Sequence, residues 1–215
     1  MVTHLFHDGA RDWREAARKG SRGRLVYLLL KKEMARREGF VAIVDRNSAL
    51  IKSMSADVAK KVSRDMARGY SEGKRPEELM HEVLARWPRL TESHARLIAR
   101  TETSKASTAL TRVRAESAGL RWYVWKTSED ARVRSSHRHM DGVICSWDDP
   151  PSPERLVRQK DYGNYNPGEI FNCRCYPAPL LSYDDVSWPH KVYRNGRVRY
   201  MTRAAFKNLN GGGEL

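Results

Sequence analysis

The sequence predicts an α+β protein: a helical N-terminal region followed by a compact, loop-rich module with short strands and a C-terminal hairpin. Three patterns support this. The first half carries an apolar stripe with a spacing of four residues, which is typical of a long amphipathic helix. After Gly119 an alternating, aromatic-rich pattern favours strands. Near the C-terminus, Asn195-Gly196 lies between two alternating segments and predicts a tight type I′ hairpin turn. The stripe consists of Leu50, Met54, Val58, Val62, Met66 and Tyr70.

The helices of the first half are bounded by glycine and proline. Residues 25–37 predict a helix that ends before Gly39, and the helix of the apolar stripe ends at Gly69. Pro76 is suited to the first turn of the next helix, which stops before Pro88.

A fourth helix is predicted from its two ends. Thr91 has a side chain that can cap a helix N-terminus, and Gly119 suits the residue after a helix C-terminus, so the helix extends through Ala118.

The second half is predicted to contain short strands. Residues 120–126 alternate and predict a strand. Prolines and glycines crowd residues 142–179, so only short strands and ordered loops fit there. Residues 192–200 form the predicted hairpin around the Asn-Gly turn. At 215 residues the chain fits one sizeable domain or two small ones.

The net charge of +14 is concentrated in the helical half. Residues 1–120 contain 25 basic and 15 acidic residues, whereas residues 121–215 contain 15 and 11. Such a field attracts polyanions, so non-specific contact with double-stranded DNA is expected, although no DNA-binding residue is assigned. The alternatives are a basic surface that serves solubility and a surface matched to an acidic protein.

The apolar runs and the cysteines indicate in which cellular compartment the protein is expected. Residues 25–30 form an apolar run that is too short for a signal peptide core or a membrane span, so no membrane is expected. Three cysteines do not form a disulfide framework, because a bridge between Cys173 and Cys175 would be strained and Cys145 would be left over. A reduced, cytoplasmic protein is expected.

Cys173, Cys175 and His137 form a candidate metal site. Thiolate and imidazole are ligands that Zn²⁺ prefers, and a structural zinc site needs four of them. The candidate fourth ligands are Asp141, His139 and Cys145. Alternatively, His137 and Asp141 bond to loop backbone while the thiols pack as small apolar groups.

Charged residues offer a second set of interactions. Arg132, Arg134 and Arg174 could hold Asp130, Asp141 or Glu102 in buried ion pairs, and an arginine fork on Glu102 would anchor its helix. A catalytic interpretation would make Glu102, His137 and Asp141 a general acid–base set.

Four segments together resemble one family. They are Ala99-Arg100-Thr101-Glu102-Thr103, the Asp130–Gly142 segment with the pattern Asp-x-Arg-Val-Arg-x-x-His-x-x-x-Asp-Gly, Trp147-Asp148-Asp149-Pro150, and Asn172-Cys173-Arg174-Cys175. In this order and spacing, over residues 91–180, the chain resembles the phage Mu F-like minor head proteins of tailed bacteriophages. The resemblance gives no account of the loop at residues 151–167.

The resemblance implies a structural role and no enzymatic activity. It implies a minor head protein that acts in head assembly at the portal or inner capsid, with the portal protein, the major capsid protein or both as partners. Residues 91–215 would be the family module. The resemblance does not cover the role of residues 1–90, which are predicted separately to be a helical region that docks on the portal or capsid. Localisation would be the virion head or neck, and the host cytoplasm during assembly. The implied structural motif residues are Arg100, Glu102, Asp130, Arg132, Arg134 and Asn172.

Two other functions remain open at this point. One is a metal-dependent nuclease or toxin-like effector built on the same module. The other is a nucleic-acid-binding module without a phage context.

Overall fold

The computed structural model describes residues 40, 41, 43, 44 and 56–210, which fall into two compact units. The first unit contains the described residues up to 113 and the segment 168–173. The second contains residues 114–167 and 174–210. The units therefore divide within the long helix that follows Thr91. The functional boundary expected after residue 90 stays a prediction.

Within residues 56–117, three helices contribute to the first unit. They are α1 (Ala56–Ser71), α2 (Pro76–Arg86) and α3 (Glu92–Ser117), the last of which continues into the second unit. Val62 and Met66, from the predicted apolar stripe, are buried and pack with Leu79 and Val83 of α2. Burial of one face against neighbouring helices is what stabilises an amphipathic helix.

Two members of the predicted stripe, Leu50 and Met54, lie outside the described residues. The predicted helix over residues 25–37 also lies outside them.

Local capping groups define the ends of α3 as predicted. The backbone amide of His94 donates a hydrogen bond to Thr91 Oγ1 at 3.3 Å, which satisfies one of the amides left open at a helix start. At the other end Gly119 has φ +77°, and the amide of Leu120 donates to the carbonyl of Ala115 at 2.9 Å. Only glycine adopts that φ at low energetic cost, so the helix ends and the chain changes direction at Gly119.

A five-stranded mixed sheet forms the second unit. The strands are β1 (Trp122–Lys126), β2 (Ile144–Ser146), β3 (Tyr176–Pro179), β4 (His190–Arg194) and β5 (Arg197–Met201). Their order is β3-β1-β2-β4-β5. The β2–β4 pair is parallel, and the other pairs are antiparallel. The predicted α+β class is confirmed.

Short helices complete the second unit: α4 (Ser135–Met140), α5 (Pro153–Leu156) and α6 (Arg203–Leu209), with a 3₁₀ turn at Tyr183–Asp185. One side of the sheet packs against α6, where Phe206 is fully buried with Val124, Ile144 and Val192. None of the helices in the described residues is long and apolar enough to cross a bilayer.

Candidate metal centre

His137 lies at the centre of a buried polar cluster in the second unit. It is held on α4 and is 1% exposed. Its Nδ1 is 3.3 Å from Cys175 Sγ, and its Nε2 is 2.9 Å from the hydroxyl of Tyr165. The indole of Trp125 packs on the imidazole edge-on, with ring centroids 5.6 Å apart. The ring is therefore fixed through both nitrogens and its face.

A buried carboxylate completes this cluster. Glu154 is 2% exposed and accepts hydrogen bonds from the hydroxyls of Ser136 at 3.0 Å and Tyr165 at 2.7 Å. One of its oxygens is 3.5 Å from His137 Nε2. Both Glu154 and Tyr165 come from residues 151–167, the loop that the resemblance did not explain.

These partners select the tautomer of His137. The carboxylate of Glu154 only accepts, so the single hydroxyl proton of Tyr165 goes to it. Tyr165 then accepts from Nε2–H of His137, which leaves the lone pair of a neutral imidazole on Nδ1, facing Cys175. A metal-binding histidine is held in the same way, with its second nitrogen donating to an outer partner.

His137, Cys173 and Cys175 each offer one ligand atom, and these atoms lie within 4.8 Å of one another. Two ligands of one tetrahedral zinc ion are roughly 3.5–3.8 Å apart, given bonds of about 2.0–2.3 Å. The 3.3 Å between His137 Nδ1 and Cys175 Sγ is close to that separation. The group can therefore hold a metal ion, and the soft donor set is suited to zinc.

The candidate fourth ligands do not join this group. The Asp141 carboxylate accepts a hydrogen bond from the amide of Thr127 at 2.8 Å and is not among the grouped ligand atoms, so its role as a ligand stays a prediction. His139 is exposed on α4. Cys145 is fully buried in β2, where burial raises the pKa of its thiol and disfavours the thiolate that a metal requires. The described residues therefore supply three ligands.

Glu102 belongs to a different buried cluster, in the first unit. Its carboxylate accepts from Ser63 Oγ at 2.6 Å and from Lys105 Nζ, and both charged side chains are 3% exposed. The predicted arginine fork is corrected, because the cation here is a lysine one turn along the same helix.

Asp130 has the arginine partner that the sequence suggested. Arg174 Nη2 lies 2.8 Å from its carboxylate, and the backbone amide of Arg132 donates to it at 2.9 Å. Partial desolvation raises the pKa of Asp130, but the hydrogen bonds from Arg132 and Ser128 outweigh it and hold that pKa below its usual value.

The remaining motif residues have other positions. Arg100 is exposed on α3, and Arg134 is half-buried at the start of α4. Asn172 adopts φ +51°, and its amide donates to Thr101 Oγ1 at 3.5 Å, which ties the Asn-Cys segment to α3 within the first unit. Asparagine tolerates this left-handed conformation better than most residues, which accounts for its position before Cys173.

Sequence reasoning did not identify Glu154, Tyr165 or Ser136 as members of the site. Glu154 and Tyr165 lie 17 and 28 positions beyond His137 in the sequence, and neither belongs to a recognised motif. Only the folded loop brings them to the imidazole.

Comparison with known proteins agrees with the motifs. The model of the family described as Phage Mu protein F like protein matches residues 60–177, more than half of the chain. An uncharacterized protein of Haemophilus influenzae is 33% identical over 144 residues, which covers 67% of this chain and 30% of the relative. The chain thus spans less than a third of that relative's length. No solved structure matches. Because the family model matches more than half of the chain, this chain belongs to the phage Mu F-like protein family.

Proposed function

We propose that the protein is a minor head protein of a tailed bacteriophage and acts in head assembly at the portal or inner capsid. The family match over residues 60–177 is the observation that carries this proposal, because the family is associated with phage head morphogenesis. The protein would reside in the virion head or neck, and in the host cytoplasm during assembly.

Burial of the residues around His137 supports a structural role. His137, Glu154 and Cys175 are 1%, 2% and 4% exposed, so their polar atoms face one another and not solvent. A metal-dependent nuclease or toxin-like effector on the same module would need its substrate to reach such groups. Glu102 and Asp141, the other members of the catalytic interpretation, are hydrogen-bonded to Lys105 and Thr127 respectively.

We propose that the buried residues of the apolar stripe are not part of the partner surface. Val62 and Met66 are already buried in the core of the first unit, so they are not available to a helix of another protein. We therefore propose that the portal or major capsid protein binds exposed surface.

Co-expression with the portal and major capsid proteins of the same phage is expected to give a complex. Affinity purification through a tag on this chain should retain one of them at about 150 mM salt, where purely electrostatic contacts between exposed groups are screened beyond about 8 Å. The portal protein of an unrelated phage is the control. A folded sample that retains neither partner, even at low salt, would contradict the assembly role.

We further propose that the metal held by His137, Cys173 and Cys175 is zinc. The chemistry of the ligands, the orientation of His137 Nδ1 and the outer carboxylate of Glu154 support this choice. When bound, the metal would cross-link segments of the module and stabilise its fold, since the module has few long strands. A water or another residue would complete the coordination.

Elemental analysis is expected to find about one zinc per chain in protein purified without chelators. Ligand deprotonation and metal binding are coupled to folding at such sites, so the metal should persist through purification. A His137→Ala variant, prepared in parallel, should contain much less. Less than about a tenth of an equivalent in the unmodified protein would refute the zinc proposal, and the assembly proposal would be unaffected.

A further inference from the structure

The hairpin of β4 and β5 places three arginines on one face. In the register of this antiparallel pair, Arg194 is opposite Arg197, and Val192 is opposite Arg199. Residues opposite each other in such a pair, and residues two apart along a strand, project to the same side. The shared face therefore contains Arg194, Arg197 and Arg199, about 5 Å apart across the strands and about 7 Å apart along β5.

An open pocket of about 510 Å³ lies on this face. Its lining residues are Val192, Arg194, Asn195, Arg197, Arg199 and Met201. Each of the three arginines is exposed, whereas Val192 is buried and forms the floor beside the core. The pocket is therefore basic at its walls and apolar at its base.

The hairpin strands themselves contain no acidic residue, and the Asp149 carboxylate beside the turn accepts a hydrogen bond from the Asn195 amide. Residues 190–201 contain Lys191 and the three arginines but no aspartate or glutamate. Within residues 56–210, none of the three arginines forms an ion pair, whereas other exposed arginines of the second unit do, such as Arg155 with Asp161 and Arg203 with Asp184. Like charges directly opposite each other on a sheet destabilise it. An anion bound between Arg194 and Arg197 would remove that repulsion.

The backbone of the hairpin turn, next to the arginines, has a defined conformation. Asn195 and Gly196 have φ of 48° and 77°, which defines a tight turn, and the amide of Asn195 donates to Asp149 Oδ2 at 2.9 Å. On the other face Tyr200 is 68% exposed, with Lys191 Nζ 6.0 Å from its ring. The tight turn fixes the backbone positions from which the arginine side chains project, so the backbone of the hairpin needs no rearrangement when a ligand binds.

We propose that this arginine face binds the phosphodiester backbone of double-stranded DNA. Guanidinium groups match phosphate oxygens in a two-point geometry, and a repeating anion can supply a phosphate to each arginine. The contacts are to the backbone, so binding is independent of base sequence. The proposal assigns a site to the DNA contact that the net charge of the chain led us to expect, and it depends on that contact. It also assigns the contact to the second unit, which carries the smaller share of the net charge.

The test compares two double variants of the full chain that lose the same charge. Arg197→Gln/Arg199→Gln alters the arginine face. Arg158→Gln/Lys160→Gln alters exposed residues of the same unit that have no ion pair within residues 56–210. Binding to a fluorescent DNA duplex of mixed sequence is measured by anisotropy from about 50 to 200 mM salt, and thermal melts establish that each variant is folded.

The arginine-face variant is expected to bind at least about tenfold more weakly at 50 mM salt. Its plot of log affinity against log salt should be less steep by about 1.8, which corresponds to two phosphate contacts at about 0.9 each. The control variant should stay within about twofold of the unmodified protein.

Each other outcome overturns the assignment in a distinct way. No binding by the unmodified protein would remove the DNA contact itself, and the arginine site with it. Equal weakening by both variants would show a general charge effect without a site. Tighter binding of poly-glutamate than of the DNA duplex to the arginine face, at equal charge concentration, would favour an acidic protein as the ligand. The co-expression experiment reports on assembly separately, so its failure would not be confused with any of these.

Discussion

Cys175→Ser is expected to abolish the dependence of stability on metal, whereas Cys145→Ser is expected to preserve it. Structural zinc contributes about 10–16 kcal/mol of binding free energy in small domains, and loss of Cys175 would leave only two of the three described ligands, too few to hold zinc against a chelator. Cys175 Sγ faces His137 Nδ1 at 3.3 Å, whereas the Cys145 thiol bonds to the carbonyl of Val143 at 3.8 Å and to the Tyr123 side chain. Both thiols are buried, so the two substitutions are matched in environment.

The metal dependence of stability in the two cysteine variants can be measured as the melting temperature with and without a chelator. The chelator should lower the melting temperature of the unmodified protein and of Cys145→Ser, and should leave that of Cys175→Ser unchanged. Cys145→Ser alone is expected to cost about 1–3 kcal/mol, because a hydroxyl replaces a weakly bonded thiol in a dry position. An equal response of both variants to the chelator would contradict metal binding at Cys175.

Lys105→Met is expected to destabilise the protein by about 3–5 kcal/mol. The substitution keeps the length of the side chain but removes the cation beside Glu102, which would leave a carboxylate that is 3% exposed with a hydroxyl partner only. Chemical denaturation gives the free energy of unfolding. The double variant Glu102→Gln/Lys105→Met should recover part of the loss, since it removes the buried charge as well.

Lys74→Met is the matched control for Lys105→Met. Lys74 also pairs with a glutamate, Glu82, at 2.5 Å, but the two side chains are 36% and 48% exposed. An exposed pair contributes about 0–1 kcal/mol, so this variant should unfold at nearly the same denaturant concentration as the unmodified protein. If both lysine substitutions lowered the free energy of unfolding equally, burial would not determine how much the ion pair in α3 contributes to stability.

Local chemistry made several elements predictable. The Thr91 cap, the left-handed Gly119 and the Asn195-Gly196 turn each satisfy a constraint that involves only a few neighbouring residues, and each lies where the sequence predicted. His137, Cys173 and Cys175 were recognisable as a group because few other residue types bind zinc well, and the structure brings them together.

Long-range packing made other features unpredictable. Strand β3 contains Pro177 and Pro179, which cannot donate to a neighbouring strand; they are tolerated because β3 pairs only with β1 at the edge of the sheet. Glu154 and Tyr165 reach His137 through the tertiary path of a loop, for which no local pattern exists. The lysine partner of Glu102 was missed because charge type alone favours arginine for buried carboxylates.

Chain connectivity has a consequence for synthesis on the ribosome. Residues 168–173 belong to the first unit, whereas the residues that precede and follow them in the sequence belong to the second. The first unit therefore lacks part of its chain until residue 173 has been translated, by which point β1 and β2 are already present. An N-terminal fragment that ends at residue 113 would omit this segment, including the amide of Asn172 that bonds to Thr101. A cut at residue 113 would therefore separate the first unit from a segment that is compact with it, because residues 168–173 follow most of the second unit in the chain.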